Sequence, residues 1–96
     1  MEALTEQQIT EKLAAIRGWG LIDGQVQKTF SFPDFKKSME YANKLAMIAE
    51  NMNHHPDIHI RYTKVTVSLS THEVDGITDT DFKLAKECDQ LAVDML

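Results

Sequence analysis

The hydrophobic spacing of this chain switches repeatedly between the helical and the extended period. That alternation constrains its fold more than any other feature. "LTEQQITEKLAAI" (4–16) places Ile9, Leu13 and Ile16 at helical intervals. Thr5 with Gln8 three residues later gives it a capping-box opening, and Gly18 is expected to stop it. "WGLIDGQVQKTFSF" (19–32) reads as two short strands around Asp23-Gly24, a strong hairpin dipeptide, with Val26, Phe30 and Phe32 on one parity. Pro33 breaks the second strand, and Asp34 can cap a long helix. The predicted apolar stripe of that helix is Phe35, Met39, Ala42, Leu45, Ala46, Ala49 and Met52. Asn51 and Asn53 weaken it, and Pro56 requires that it has ended.

"DIHIRY" (57–62) and "KVTVSLS" (64–70) both alternate at period two, and the turn between them carries no glycine. "HEVDGI" (72–77) reads as a loop. Thr78, with Asp81 three residues on, opens a last helix with Leu84, Ala85, Cys88, Leu91, Ala92 and Met95 along one side. The order is α-β-β-α-β-β-α. The expected fold is a two-layer α+β domain: a four-stranded antiparallel sheet with helices packed on one face. No repeat or linker divides residues 1–96, so one domain is expected. The other sheet face and the sheet edges stay open, and a chain this small gains by covering them through self-association.

Composition narrows the function. A net charge of −5 and a pI near 5.2 disfavour nucleic acid and anionic membranes as partners. The single cysteine, Cys88, allows no internal disulfide, and "MEALTEQQITEK" has neither the basic nor the apolar region of a signal peptide. A soluble cytoplasmic protein is expected.

The chemistry concentrates in "ENMNHHPDIHIRY" (50–62), which holds three of the four histidines. A metal site would normally show tighter ligand spacing, such as H-E-x-x-H or paired C-x-x-C units, and neither occurs. Adjacent histidines in extended chain also point to opposite sides. Acid–base chemistry fits better. Glu50 precedes His54 by four residues, so a helix continuing to His54 would put them on one face, within hydrogen-bond reach. A carboxylate and a helix C-terminus both favour a charged imidazole. His55, before Pro56, would project at another angle. His72 follows the polar parity of Thr66, Ser68 and Ser70, and Asp81 could reach back to orient it. Each residue also has a plainer role. Glu50 and His54 could be ordinary helix-end groups, and Asp81 only a cap. His59 shares parity with Asp57 and Arg61 and reads as a surface residue. Cys88 lies on the apolar stripe and reads as core. No nucleophile or phosphate loop is evident.

At these residues the chain resembles the pterin-4a-carbinolamine dehydratases. The run E-x-x-x-H-H-P, the aromatic, the second histidine and the aspartate fall on Glu50, His54, His55, Pro56, Tyr62, His72 and Asp81. Trp19, "FSFPDF" (30–35), "LSTH" (69–72) and "GIT" (76–78) are also similar. The resemblance implies the same α-β-β-α-β-β-α fold and association as homodimers or homotetramers. It implies loss of water from a 4a-hydroxytetrahydropterin, giving the quinonoid dihydropterin. That reaction delivers a proton to the departing hydroxyl and takes one from N5, with no metal, covalent nucleophile or redox cofactor. His54 and His72 would transfer the protons, and His55 would hydrogen-bond the pterin or the hydroxyl. Glu50 and Asp81 would orient them. Pro56 and the segment Thr71, His72, Glu73 and Val74 would line the pterin site, with Trp19 as a further wall. The other roles the resemblance leaves open are dimerisation of a homeodomain transcription factor, and action on another pterin, as in molybdopterin metabolism.

Overall fold

The computed structural model describes residues 2–96. Thr5 opens α1 (Glu6–Leu13) through a capping box: its hydroxyl accepts from the Gln8 amide at 3.2 Å, and its own amide donates to Gln8 Oε1 at 2.8 Å. The helix ends at Leu13, earlier than the expected stop at Gly18. Ala15 and Ile16 bond back only three residues, to Lys12 and Leu13, which tightens the last turn. Ile16 is nevertheless buried. The hairpin of β1 (Gly20–Ile22) and β2 (Gln25–Ser31) turns at Asp23 (φ 50°) and Gly24 (φ 76°), the left-handed pair that this dipeptide favours.

Asp34 caps α2 (Phe35–Met52), accepting from the Lys37 amide at 2.8 Å. β3 (Asp57–Arg61) and β4 (Lys64–Leu69) then pair across a turn in which Tyr62 itself takes φ 53° in place of a glycine. A single 3-10 turn (His72–Val74) and α3 (Asp79–Asp94) complete the described chain. The sheet is antiparallel throughout, in the order β1-β2-β4-β3.

Register decides which side is dry. Val26 sits opposite Leu69, Phe30 opposite Val65, and Ile58 opposite Val67. These residues face α2 and α3, which contribute Tyr41, Leu45, Ala49, Phe82, Leu84, Ala85 and Cys88 to the same core. The helices thus pack on one side, as expected. The other side is polar. Thr29 bonds Thr66 at 2.8 Å, Ser68 bonds Gln27 at 3.0 Å, and Asp57, His59 and Arg61 follow the same parity on β3. That face is polar apart from Ile22 beside Gln25, and the β1 and β3 edges are left unpaired by the fold.

Two core features escaped the sequence pattern. On α2, Phe35 and Ala46 are exposed, whereas Ser38 and Tyr41 are fully buried. Both hydroxyls are satisfied, Ser38 on Asp34 O at 3.2 Å and Tyr41 on Cys88 O at 2.9 Å, which removes the penalty for burying them. On β2, Lys28 shares the apolar parity of Val26 and Phe30. Its ammonium lies 4.9 Å from the Phe30 ring centroid and reaches Asp89 of α3 at 2.7 Å and Arg17 O at 3.0 Å.

Cys88 is completely buried, and burial pushes its thiol up to about 12 from an ordinary value of 9.0. The thiol therefore stays protonated and shielded in the folded protein. At pH 8 it should resist iodoacetamide until denaturant is added; prompt labelling, read by mass, would contradict this packing. The same shift sets a sign for alkaline stability. The unfolded thiol ionises from about pH 9 while the folded one holds its proton, so stability should fall as pH rises from there towards 12.

Candidate active site

The site begins at the end of α2. Asn53 takes the left-handed conformation (φ 51°, ψ 42°), which Asn tolerates, and closes the helix. The His54 amide bonds back to Ala49 O at 3.1 Å. This turn carries His54 inward, where it is 8% exposed, and leaves His55 outside.

The helix therefore does not continue to His54, and the expected Glu50–His54 pair does not form. Glu50 Oε1 instead meets His55 Nε2 at 2.7 Å, in an exposed pair. Exposed ion pairs of this kind contribute little to stability.

His54 finds a different carboxylate. Its Nε2 lies 2.6 Å from Oδ1 of Asp81, a residue with no exposed surface. Asp81 was expected to reach His72; it is occupied elsewhere. Its Oδ2 accepts the Thr71 hydroxyl at 2.7 Å and the Thr78 amide at 2.9 Å. Thr71 Oγ1 also lies 2.8 Å from Thr78 Oγ1. Thr71 spends its one hydroxyl proton on Asp81, so Thr78 donates to Thr71. The cap at the start of α3 and the partner of His54 are the same carboxylate, one oxygen for each.

A carboxylate can only accept, so Nε2 of His54 carries the shared proton. Among the described residues the other ring nitrogen, Nδ1, has no hydrogen-bond partner. Among the described residues every buried side-chain N or O is hydrogen-bonded, so Nδ1 is open to solvent. A fixed imidazole with one nitrogen held and one free is suited to moving a proton.

His72 lies next in sequence to Thr71, at the start of the 3-10 turn rather than on the strand, because β4 ends at Leu69. The loop is pinned at its base. The Thr71 amide donates to Gly76 O at 2.7 Å, and the Gly76 amide returns a bond to Thr71 O at 3.3 Å. His72 is exposed and lines a cavity of about 270 Å³ together with Asp23, Gly24, Gln25, Ser70, Thr71, Asp75 and Gly76. Thr71 thus links the two parts of the site. Its hydroxyl holds Asp81, and its backbone leads to His72.

The structure therefore joins His54, Asp81 and Thr71 directly, adds Thr78, and sets His72 one residue from Thr71. His55 and Glu50 form a separate surface pair. Pro56, Glu73 and Val74 lie outside the lining of the cavity. Trp19 is not among the residues lining this cavity. It packs edge-on against Phe30, its Nε1 donating to Asp89 Oδ2 at 3.0 Å. Sequence reasoning missed Thr78 because T-x-x-D was weighed either as a cap or as a partner for a histidine, and the Asp81 carboxylate serves both contacts. The hairpin tip, Asp23 to Gln25, borders the cavity, a placement that no local sequence pattern gives. Among the described residues no group of three His, Cys, Asp or Glu side chains could hold a metal ion. No described helix is long and apolar enough to cross a membrane.

Residues 2–91 match the family model described as pterin 4 alpha carbinolamine dehydratase. Two relatives carry the name pterin-4-alpha-carbinolamine dehydratase provisionally. The one from Sulfurisphaera tokodaii is 50% identical over 95% of this chain and 98% of its own length. The one from Herpetosiphon aurantiacus is 43% identical over 95% of each. The crystal structure of a transcriptional coactivator/pterin dehydratase from Brucella melitensis superposes with a TM-score of 0.88, at 35% identity, over 94% of this chain and 98% of that one. A pterin dehydratase-like protein described as a RuBisCO assembly factor shares the fold at 21% identity, with a TM-score of 0.65 over 77% of this chain and 86% of that one.

Proposed function

Because the chain belongs to the pterin-4a-carbinolamine dehydratase family, we propose that it removes water from a 4a-hydroxytetrahydropterin and releases the quinonoid dihydropterin. The physiological substrate in this reading is 4a-hydroxytetrahydrobiopterin, and the reaction recycles the cofactor of aromatic amino-acid hydroxylases. The observation that carries it is the His54–Asp81 pair, whose imidazole is held at Nε2 and open at Nδ1.

Loss of water needs the C4a hydroxyl protonated as its bond to carbon breaks, and a proton removed from N5. Two positioned histidines supply one group for each step. His54 and His72 are the pair we assign to this role. Their surroundings differ: His54 is buried against a carboxylate, and His72 stands exposed at the cavity. Asp81 holds His54, and Glu50 holds His55, which is free to turn towards the substrate hydroxyl. Thr71 and His72 contact the pterin from the cavity wall, with Pro56, Glu73 and Val74 at its margin. Neither a metal nor a redox cofactor enters this scheme.

The reading extends to a homodimer or homotetramer in the cytoplasm. The unpaired sheet edges support self-association, as do Phe35 and Met47, which are 50% and 68% exposed on α2. Sedimentation showing a monomer at micromolar concentration would remove the oligomeric part.

The activity is tested by adding catalytic amounts of the protein to an aromatic amino-acid hydroxylase working at limiting tetrahydropterin, with the quinonoid form reduced in a coupled step. The rate of hydroxylation should rise, because the adduct no longer accumulates. An unchanged rate would refute the proposal.

A further inference from the structure

The cavity at His72 carries a charge pattern that bears on which pterin can enter. Its lining holds two carboxylates, Asp23 and Asp75, and no Lys or Arg. One comes from the β1–β2 turn and the other from the end of the 3-10 turn, each in the left-handed conformation at φ 50°. Among the described residues neither carboxylate is paired with a basic side chain. The neutral lining, Gln25 and Ser70, offers hydrogen bonds without countercharge.

A ligand seated in about 270 Å³ keeps its substituents within a Debye length, about 8 Å at physiological salt, of both carboxylates. We infer that the cavity accepts a pterin with an uncharged side chain and rejects one that carries a phosphate ester, with Asp23 and Asp75 as the specificity-determining residues. The inference rests on the dehydratase reading for the identity of the ring, and it separates recycling of a neutral hydroxylase cofactor from action on phosphorylated pterins.

The test compares 7,8-dihydroneopterin with its 3′-monophosphate, both as inhibitors of dehydration and in direct calorimetric titration at pH 8. Wild type should bind the neutral compound at least about tenfold more tightly at low salt, the scale of like-charge repulsion across a few ångströms of partly screened medium. The preference should shrink to less than about threefold in Asp23→Asn/Asp75→Asn. Asparagine tolerates left-handed backbone, so the turns are kept. About 1 M salt should shrink the preference in wild type as well, which steric exclusion alone would not do. Equal binding of the two compounds by wild type overturns the inference, as does a preference unchanged by both the substitutions and the salt. If wild type dehydrates the adduct yet binds both compounds equally, only this inference falls. If it discriminates between them but does not dehydrate, the dehydratase reading falls and the charge selection stands. Binding of neither compound overturns both.

Discussion

His54→Ala should lower the rate of dehydration by about 10²–10⁴-fold, the contribution that a positioned acid–base group makes. The imidazole is the buried partner of Asp81, so its loss should cost stability too, and the rate is to be read on a variant shown to be folded by circular dichroism. His72→Ala should lose most of the activity as well, because the reaction moves two protons. His59→Ala is the internal control. His59 lies on the polar outer face of the sheet, opposite Thr66 on β4, and should cost little. Rates measured for the three variants at saturating substrate decide the matter. A large loss in His59→Ala, or near-normal activity in His54→Ala, would show that the pocket lies elsewhere.

Asp81→Ala should be the most destabilising substitution in the site. It strips three partners at once: the Thr71 hydroxyl, the Thr78 amide and His54 Nε2. The site has no exposed surface at Asp81, so water does not readily replace the carboxylate. Removing one member of a buried, hydrogen-bonded pair costs about 3–5 kcal/mol. Urea denaturation should show a loss of that order, with the m-value unchanged. Asp81→Asn keeps the volume and one acceptor, so it should retain more stability while misorienting His54. His54 and Asp81 act as one unit. The double variant His54→Ala/Asp81→Asn should therefore be no slower than the worse single variant. Losses that multiply would show that the two residues work independently.

The periodic parts of the chain were legible for a physical reason. A one-sided core imposes period two on β2, β3 and β4 and a helical stripe on α2 and α3, and local caps mark where helices start. Ends and turns were harder. α1 stops at Leu13 because its last turn tightens, and no residue type announces that. Tyr62 adopts a conformation usually left to glycine or asparagine, so its turn carried no ordinary signal. Lys28 was invisible as a core-face residue because its tolerance depends on Asp89, far along the chain.

The site was legible as a set of residue types and less so as a set of pairs. The sequence spacing suggested Glu50 with His54 and Asp81 with His72. The first depends on one residue, Asn53, whose left-handed turn rotates His54 away from the outer face of α2. The second fails because Asp81 meets a histidine 27 positions earlier instead. Such a contact is set by how α3 packs against α2, and no local pattern encodes it. The family resemblance named His54, His72, Glu50 and Asp81 without saying which carboxylate serves which histidine.

The central claim is that this protein dehydrates a 4a-carbinolamine through histidine acid–base chemistry. Its most direct test follows quinonoid dihydropterin by absorbance, after chelator-treated protein is added to freshly generated 4a-hydroxytetrahydropterin. The account predicts formation well above the spontaneous rate at catalytic protein concentrations, with no change when metal is restored. Formation at the spontaneous rate, or acceleration that appears only after metal is added back, would contradict it.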